Sequence, residues 1–137
     1  MSDINLNRAR LIGNPKSPRV IFKGPMQTRN VANGATGAGL IKTVTIDAAD
    51  GFFMPFCILK IANYTNVVTV TMSITDPDSL EIYNSGAKAR NATYQIYPQS
   101  TNMAPGLPLC GAITVTLTCS GDPGGTGGDI NFTPYLM

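Results

Sequence analysis

Residues 66–75 read Asn66-Val67-Val68-Thr69-Val70-Thr71-Met72-Ser73-Ile74-Thr75. Val68, Val70, Met72 and Ile74 fall on one side of an extended chain, and Thr69, Thr71, Ser73 and Thr75 fall on the other. This two-residue period marks a strand with one face in a core. Residues 112–119 repeat it, with Ile113, Val115, Leu117 and Cys119 on one side and Thr114, Thr116 and Thr118 on the other. Val44 and Ile46 alternate in the same way with Thr43, Thr45 and Asp47. Residues 55–62 are more continuously apolar, with Cys57, Leu59 and Ile61 on one face and Phe56 and Ile58 on the other, which predicts a central strand covered on both faces.

Working outward, turn-forming residues separate these segments. Asp50-Gly51, Asp76-Pro77-Asp78, Asn84-Ser85-Gly86 and Pro98 each close a strand signal. Short strands are expected at residues 19–23, 80–83 and 93–97, with a last one at 130–136. Residues 31–39 and the glycine-rich run 121–128 read as loops, the second as a mobile hairpin loop. No stretch shows a 3.6-residue period over the length of a helix. About eight strands then predict an all-β fold, a single β-sandwich. An eight-stranded jelly roll is the first choice, because two facing sheets would bury the inward sets. An immunoglobulin-like sandwich is the second, although the Trp of antibody domains is absent.

The first 17 residues are different. Ile4 and Leu6 alternate with Asn5 and Asn7, Leu11-Ile12 follows, and Gly13-Asn14-Pro15-Lys16-Ser17-Pro18 interrupts any regular element. Residues 1–17 therefore read as an extended N-terminal arm and residues 18–137 as the sandwich domain. The formal net charge of +2 is unevenly spread: in residues 1–29, Arg8, Arg10, Lys16, Arg19, Lys23 and Arg29 stand against Asp3 alone, so a basic leader precedes a mildly acidic body. Ile4 and Leu6 are suited to adding a strand to a sheet, Leu11 and Ile12 to filling a pocket, and Arg8, Arg10 and Arg19 to pairing with carboxylates. These seven residues are the candidate interaction site, with a neighbouring protein or the domain itself as its target.

Composition excludes much chemistry. The 137 residues contain no His, which removes imidazole bases, Ser-His-Asp and Cys-His nucleophiles and nearly all catalytic zinc sites. Asp47 with Asp50, and Asp76 with Asp78, flank turns where Asp normally caps backbone. The glycine-rich run lacks a phosphate-loop Lys-Ser/Thr and leads into a strand, not a helix. Asp122 and Asp129 do not have the spacing of a calcium loop. Cys57, Cys110 and Cys119 form neither a disulfide framework nor a zinc pattern, and Cys57 and Cys119 are expected to be buried hydrophobes. The expectation is a protein that is not an enzyme and has no cofactor and no metal.

Charged residues make up 13% of the chain against roughly 25% in an average soluble domain. Thr, Asn, Ser and Gly must then form much of the surface, which suits contact with another protein. No apolar run reaches the roughly 18 residues of a membrane span, and no signal-peptide layout opens the chain. Synthesis in a host cytoplasm is expected, and the sequons at Asn63, Asn91 and Asn131 then carry no glycan. A basic balance of about +5 in the leader is too small to neutralise many phosphates, so nucleic acid is disfavoured as the partner.

An arm followed by a Thr-rich, helix-free β body resembles, over the whole chain, the jelly-roll cement or decoration proteins on the heads of tailed bacteriophages. The likeness is architectural and carries no short motif. It implies a non-enzymatic virion protein on the capsid exterior that binds and stabilises the major capsid protein shell and self-associates as a homodimer or homotrimer. Alternatives are a minor, vertex or small coat capsid protein, or a tail-associated receptor or glycan-binding module. The last of these wants an exposed aromatic platform, and the chain has no Trp and five Tyr.

Overall fold

Among the described residues twelve strands form, most of them where the alternating segments predict. In chain order they are β1 (Ile4–Asn5), β2 (Phe22–Lys23), β3 (Gln27–Val31), β4 (Ile41–Asp47), β5 (Phe52–Met54) and β6 (Phe56–Ile61). Then follow β7 (Thr69–Thr75), β8 (Glu81–Ala89), β9 (Ala92–Ile96), β10 (Leu107–Leu109), β11 (Ile113–Cys119) and β12 (Gly128–Leu136). A short 3-10 turn, Gly37–Leu40, precedes β4. The computed structural model describes residues 3–6, 20–47, 49, 51–98 and 106–137. Arg8, Arg10, Leu11, Ile12 and Arg19 of the arm lie outside the described residues.

One sheet has the order β1-β4-β11-β7-β8; the other has β2-β12-β6-β9, with β3 also on the outer side of β12. The eight long strands pair as β3 with β12, β4 with β11, β6 with β9 and β7 with β8, first with last and inward from there. Two further pairings, β12 with β6 and β11 with β7, roll this nested ribbon into two sheets. This is jelly-roll topology, not the immunoglobulin order. β10 pairs with β5 in a small accessory ribbon.

The core lies between the sheets. Val70, Met72 and Ile74 of β7 and Ile113, Val115 and Leu117 of β11 are fully buried, as the alternation requires. From the opposite sheet come Cys57, Leu59 and Ile61 of β6 with Ile130, Phe132 and Leu136 of β12. Cys57 and Cys119 are buried and unbridged, while Cys110 is exposed. Burial pushes the Cys57 thiol up to about 12, and it lies 3.9 Å from the Met72 sulfur as a packed apolar group.

Several expectations need correction. β6 is central in its sheet, but its Phe56 and Ile58 face is only half-buried, and no third layer among the described residues covers it. The Asn84-Ser85-Gly86 turn signal is a bulge inside the nine-residue β8, where the register shifts, Gly86 takes φ 71° and the Ser85 hydroxyl accepts the Met72 amide at 2.9 Å. The glycine-rich loop joins β11 to β12 in the opposite sheet, so it is not a hairpin loop, and it packs closely: a Cβ on Gly127 (φ 73°) would collide with the Val31 carbonyl, and Tyr64 is fully buried beside Gly128. Residues 3–6 also dock on the body. β1 pairs in parallel with the outer edge of β4, and Ile4 (4% exposed) and Leu6 (2%) join the common core.

Substitution of Val70 or Leu117 by Asp should cost more than about 4 kcal/mol, since each would bury an unpaired charge. Thr116→Asp, on the outer face between Thr43 and Ser73, should cost less than about 1 kcal/mol. Urea titrations followed by circular dichroism measure both, and equal midpoints for the two classes would overturn the assigned faces.

Candidate protein-binding surfaces

The N-terminal clasp is the part of the expected arm that the structure describes. The Asp3 carboxylate accepts the Thr45 amide at 2.8 Å and the Thr45 hydroxyl at 3.2 Å, and it pairs with the Arg29 guanidinium at 3.1 Å. Arg29 comes from β3 in the other sheet. Its Nε donates to the Thr43 carbonyl at 2.9 Å and its Nη1 to the Thr28 carbonyl at 3.0 Å. One side chain thus ties the edges of both sheets together and holds Asp3 against them. Ile4 and Leu6 therefore face the chain's own core in this conformation, where a partner does not reach them.

Acidic residues elsewhere serve the backbone. An Asp76 carboxylate oxygen accepts the Asp78 and Leu80 amides, each at 2.9 Å. Asp122 accepts the Gly34 and Gly124 amides, each at 2.8 Å, and Asp129 accepts the Asn30 side-chain amide at 2.9 Å. These are turn and loop ties. Among the described residues no group of three or more Cys, Asp or Glu side chains is placed to hold a metal. No helix among them is long and apolar enough to cross a membrane.

The two outer faces differ. On the β4-β11-β7 sheet, Thr43 opposes Thr116, which opposes Ser73; Thr45 opposes Thr114, which opposes Thr75. This face is a grid of hydroxyls. On the other sheet, Phe56 opposes Tyr135, and their rings stack at 4.3 Å with 21° between planes. Tyr97, just beyond β9, closes on Phe56 from the other side at 5.8 Å and 47°. The outward row Tyr135-Phe56-Tyr97 thus crosses three neighbouring strands, with Ile58 beside it on β6 and Lys23 opposite Tyr135. Tyr97 is 56% exposed.

Sequence reasoning did not single out this row. The parity was present: Tyr135 is out of phase with the inward Ile130, Phe132 and Leu136, and Tyr97 with Ile96. Adjacency was not, because it depends on pairings up to 79 residues apart in register. The geometry also bears on ligand type. Phe56 and Tyr135 each cover one face of the other's ring and Tyr97 tilts against Phe56, so the three rings pack on one another and do not form a flat platform of the kind that stacks on a sugar. Packed aromatic rings with half-buried Ile58 beside them fit the centre of a protein interface.

Two outcomes follow for the clasp. Leu6→Ala should lower stability by about 2–5 kcal/mol, against near zero for a residue in a free arm. Asp3 has a pKa held below its ordinary value of 3.8, first by the Thr45 amide hydrogen bond, against an opposing effect of desolvation, with Arg29 adding its charge. The stabilisation from its carboxylate is therefore complete above that ordinary value and is lost as pH falls through the lowered one. Wild type should melt above Asp3→Asn at neutral pH, with the gap closing in strong acid; a gap unchanged by acid would assign the effect to something other than ionisation.

No family model and no curated protein matches this sequence. A structural neighbour is the solved structure of the infectious bursal disease virus Gt strain, at 11% identity and a TM-score of 0.36. The superposition covers 90% of this chain, which spans 35% of the length of that one.

Proposed function

We propose that this protein is a non-enzymatic virion structural protein, a cement or decoration protein that binds the outside of a major capsid shell and stabilises it. The observation that carries the reading is the outward row Tyr135-Phe56-Tyr97 on a sandwich whose opposite face is a grid of uncharged hydroxyls. The aromatic row and the hydroxyl rows are themselves uncharged, with Lys23 and Lys60 beside the first and Glu81, bonded to Ser73, beside the second, an arrangement of uncharged centre and charged margin that suits contact with protein. The architectural resemblance to capsid cement proteins and the jelly-roll topology agree with this assignment. The absence of His from the sequence supports a binding role over catalysis.

Attachment is then driven chiefly by apolar burial, with the basic leader giving modest steering. Exposed ion pairs contribute at most about 1 kcal/mol each, whereas an aromatic anchor at an interface contributes about 2 kcal/mol or more. The test is co-sedimentation with particles stripped of this protein. Tyr97→Ala should weaken attachment by about 30-fold with the far-ultraviolet spectrum unchanged, while Arg8→Ala alone should weaken it by less than about 5-fold. Bound particles should also resist heating longer than stripped ones. Attachment whose salt slope is steep and disappears in genome-free particles would replace this reading with a nucleic-acid-binding coat protein.

A further inference from the structure

A sheet edge offers unpaired main-chain donors and acceptors, and folded proteins normally obstruct it. Here the edges are treated unequally. The β4 edge is occupied by β1, and its Thr43 carbonyl is capped by Arg29. β2 and β3 together make one interrupted edge strand with Gly24-Pro25 between them, and Arg29 also caps the Thr28 carbonyl of β3. β8 carries two register shifts and the charged Glu81 and Lys88. β9, Ala92-Thr93-Tyr94-Gln95-Ile96, contains no Gly, no Pro, no charge and no bulge, and among the described residues it pairs only with β6.

The direction of its free groups follows from its neighbours. Pro134 turns its carbonyl away from β6 to accept the Gly24 amide at 2.8 Å, and Ala62 donates to Asp129 at 3.1 Å. Antiparallel alternation then assigns Phe56, Ile58 and Lys60 to bonds with β12, and Cys57, Leu59 and Ile61 to bonds with β9. Their β9 partners, Ile96, Tyr94 and Ala92, are satisfied. Thr93 and Gln95 point both main-chain N–H and C=O outward, with no partner among the described residues, and both side chains are exposed.

We infer that β9 is a self-association edge, which pairs antiparallel with β9 of a second copy about a two-fold axis at Tyr94. In this register Thr93 meets Gln95 of the second copy and Gln95 meets its Thr93, so that all four outward groups of each chain are used reciprocally. Ala92 meets Ile96 and Tyr97 meets Asn91, and no like charges face each other. The pairing makes one continuous sheet from two domains and leaves the hydroxyl face and the aromatic row on the outside. A self-complementary edge without charge selects a second copy over an unrelated strand. The inference uses the edge alone and is independent of the capsid reading.

The test combines mass measurement with cross-linking, on the full chain with Cys110→Ser to remove the exposed thiol. Analytical ultracentrifugation should show a concentration-dependent doubling of mass. Thr93→Lys with Gln95→Lys should return the protein to monomer with its melting curve preserved, because both positions are exposed. Directly opposed residues of a hydrogen-bonded pair lie about 5.5 Å apart between Cα atoms, within the roughly 4.4–6.8 Å range of a disulfide. Oxidation of the double variant Thr93→Cys and Gln95→Cys should therefore give a covalent dimer, and neither single variant should. A wild-type protein that stays monomeric at every soluble concentration would overturn the proposal, as would a dimer that survives the lysine substitutions. Cross-linking by a single variant would overturn the Tyr94-centred register.

Discussion

The side chains that alternate along β7 and β11 meet those of β6 and β12 across the sandwich, and this facing of two period-two patterns decides every other placement. A slip of one residue in any of these four strands would turn Thr or Lys into the core and aliphatic groups into water. The pairings from Val70 against Cys119 to Thr75 against Thr114 fix the registers of β7 and β11 against each other within their sheet. Once the facing sets are in place, the outer faces have no freedom left. The hydroxyl grid is what remains of β7 and β11, and the aromatic row is what remains of β6 and β12.

Legibility in the sequence followed the strength of that alternation. β7, β11, β4 and β12 were readable because apolar and polar residues took strict turns, and β6 because it was apolar throughout. β3 was not, since Gln27-Thr28-Arg29-Asn30 buries only its final residue, Val31, and an edge strand shows little hydrophobic signal. β8 was cut short by Asn84-Ser85-Gly86, residues that make a turn in isolation but a bulge when β7 supplies a ladder beside them. Residues 3–6 have the composition of a leader. Their docking depends on Thr45 and Arg29, which are 42 and 26 positions away, and no local pattern announces that.

The candidate surfaces divide along the same line. An expectation of binding through apolar and basic groups of the leader, in place of catalysis, could be argued from composition, because the absence of His is visible without a structure. Where those groups lie could not. Ile4 and Leu6 looked like docking residues and are core residues in this conformation, whereas Phe56, Tyr97 and Tyr135 looked like ordinary packing residues and form an outward row. The difference lies in cross-strand neighbours, which neither spacing nor propensity encodes.

The nested pairing of first strand with last also sets an order of events during synthesis. β3 is complete by Val31, yet its only ladder partner, β12, begins at Gly128. At about 5–20 residues per second the ribosome needs roughly 5–20 s to cover that distance, long compared with the microsecond collapse of an unstructured chain. For that interval the apolar faces of β4, β6 and β7 exist without the strands that complete their sheets. The sparing use of aromatic residues in the first third of the chain, where Phe22 stands alone, and the Thr and Asn that dilute its apolar segments, then matter before any native structure exists. They keep a half-made roll from sticking to its neighbours while it waits for its closing strand.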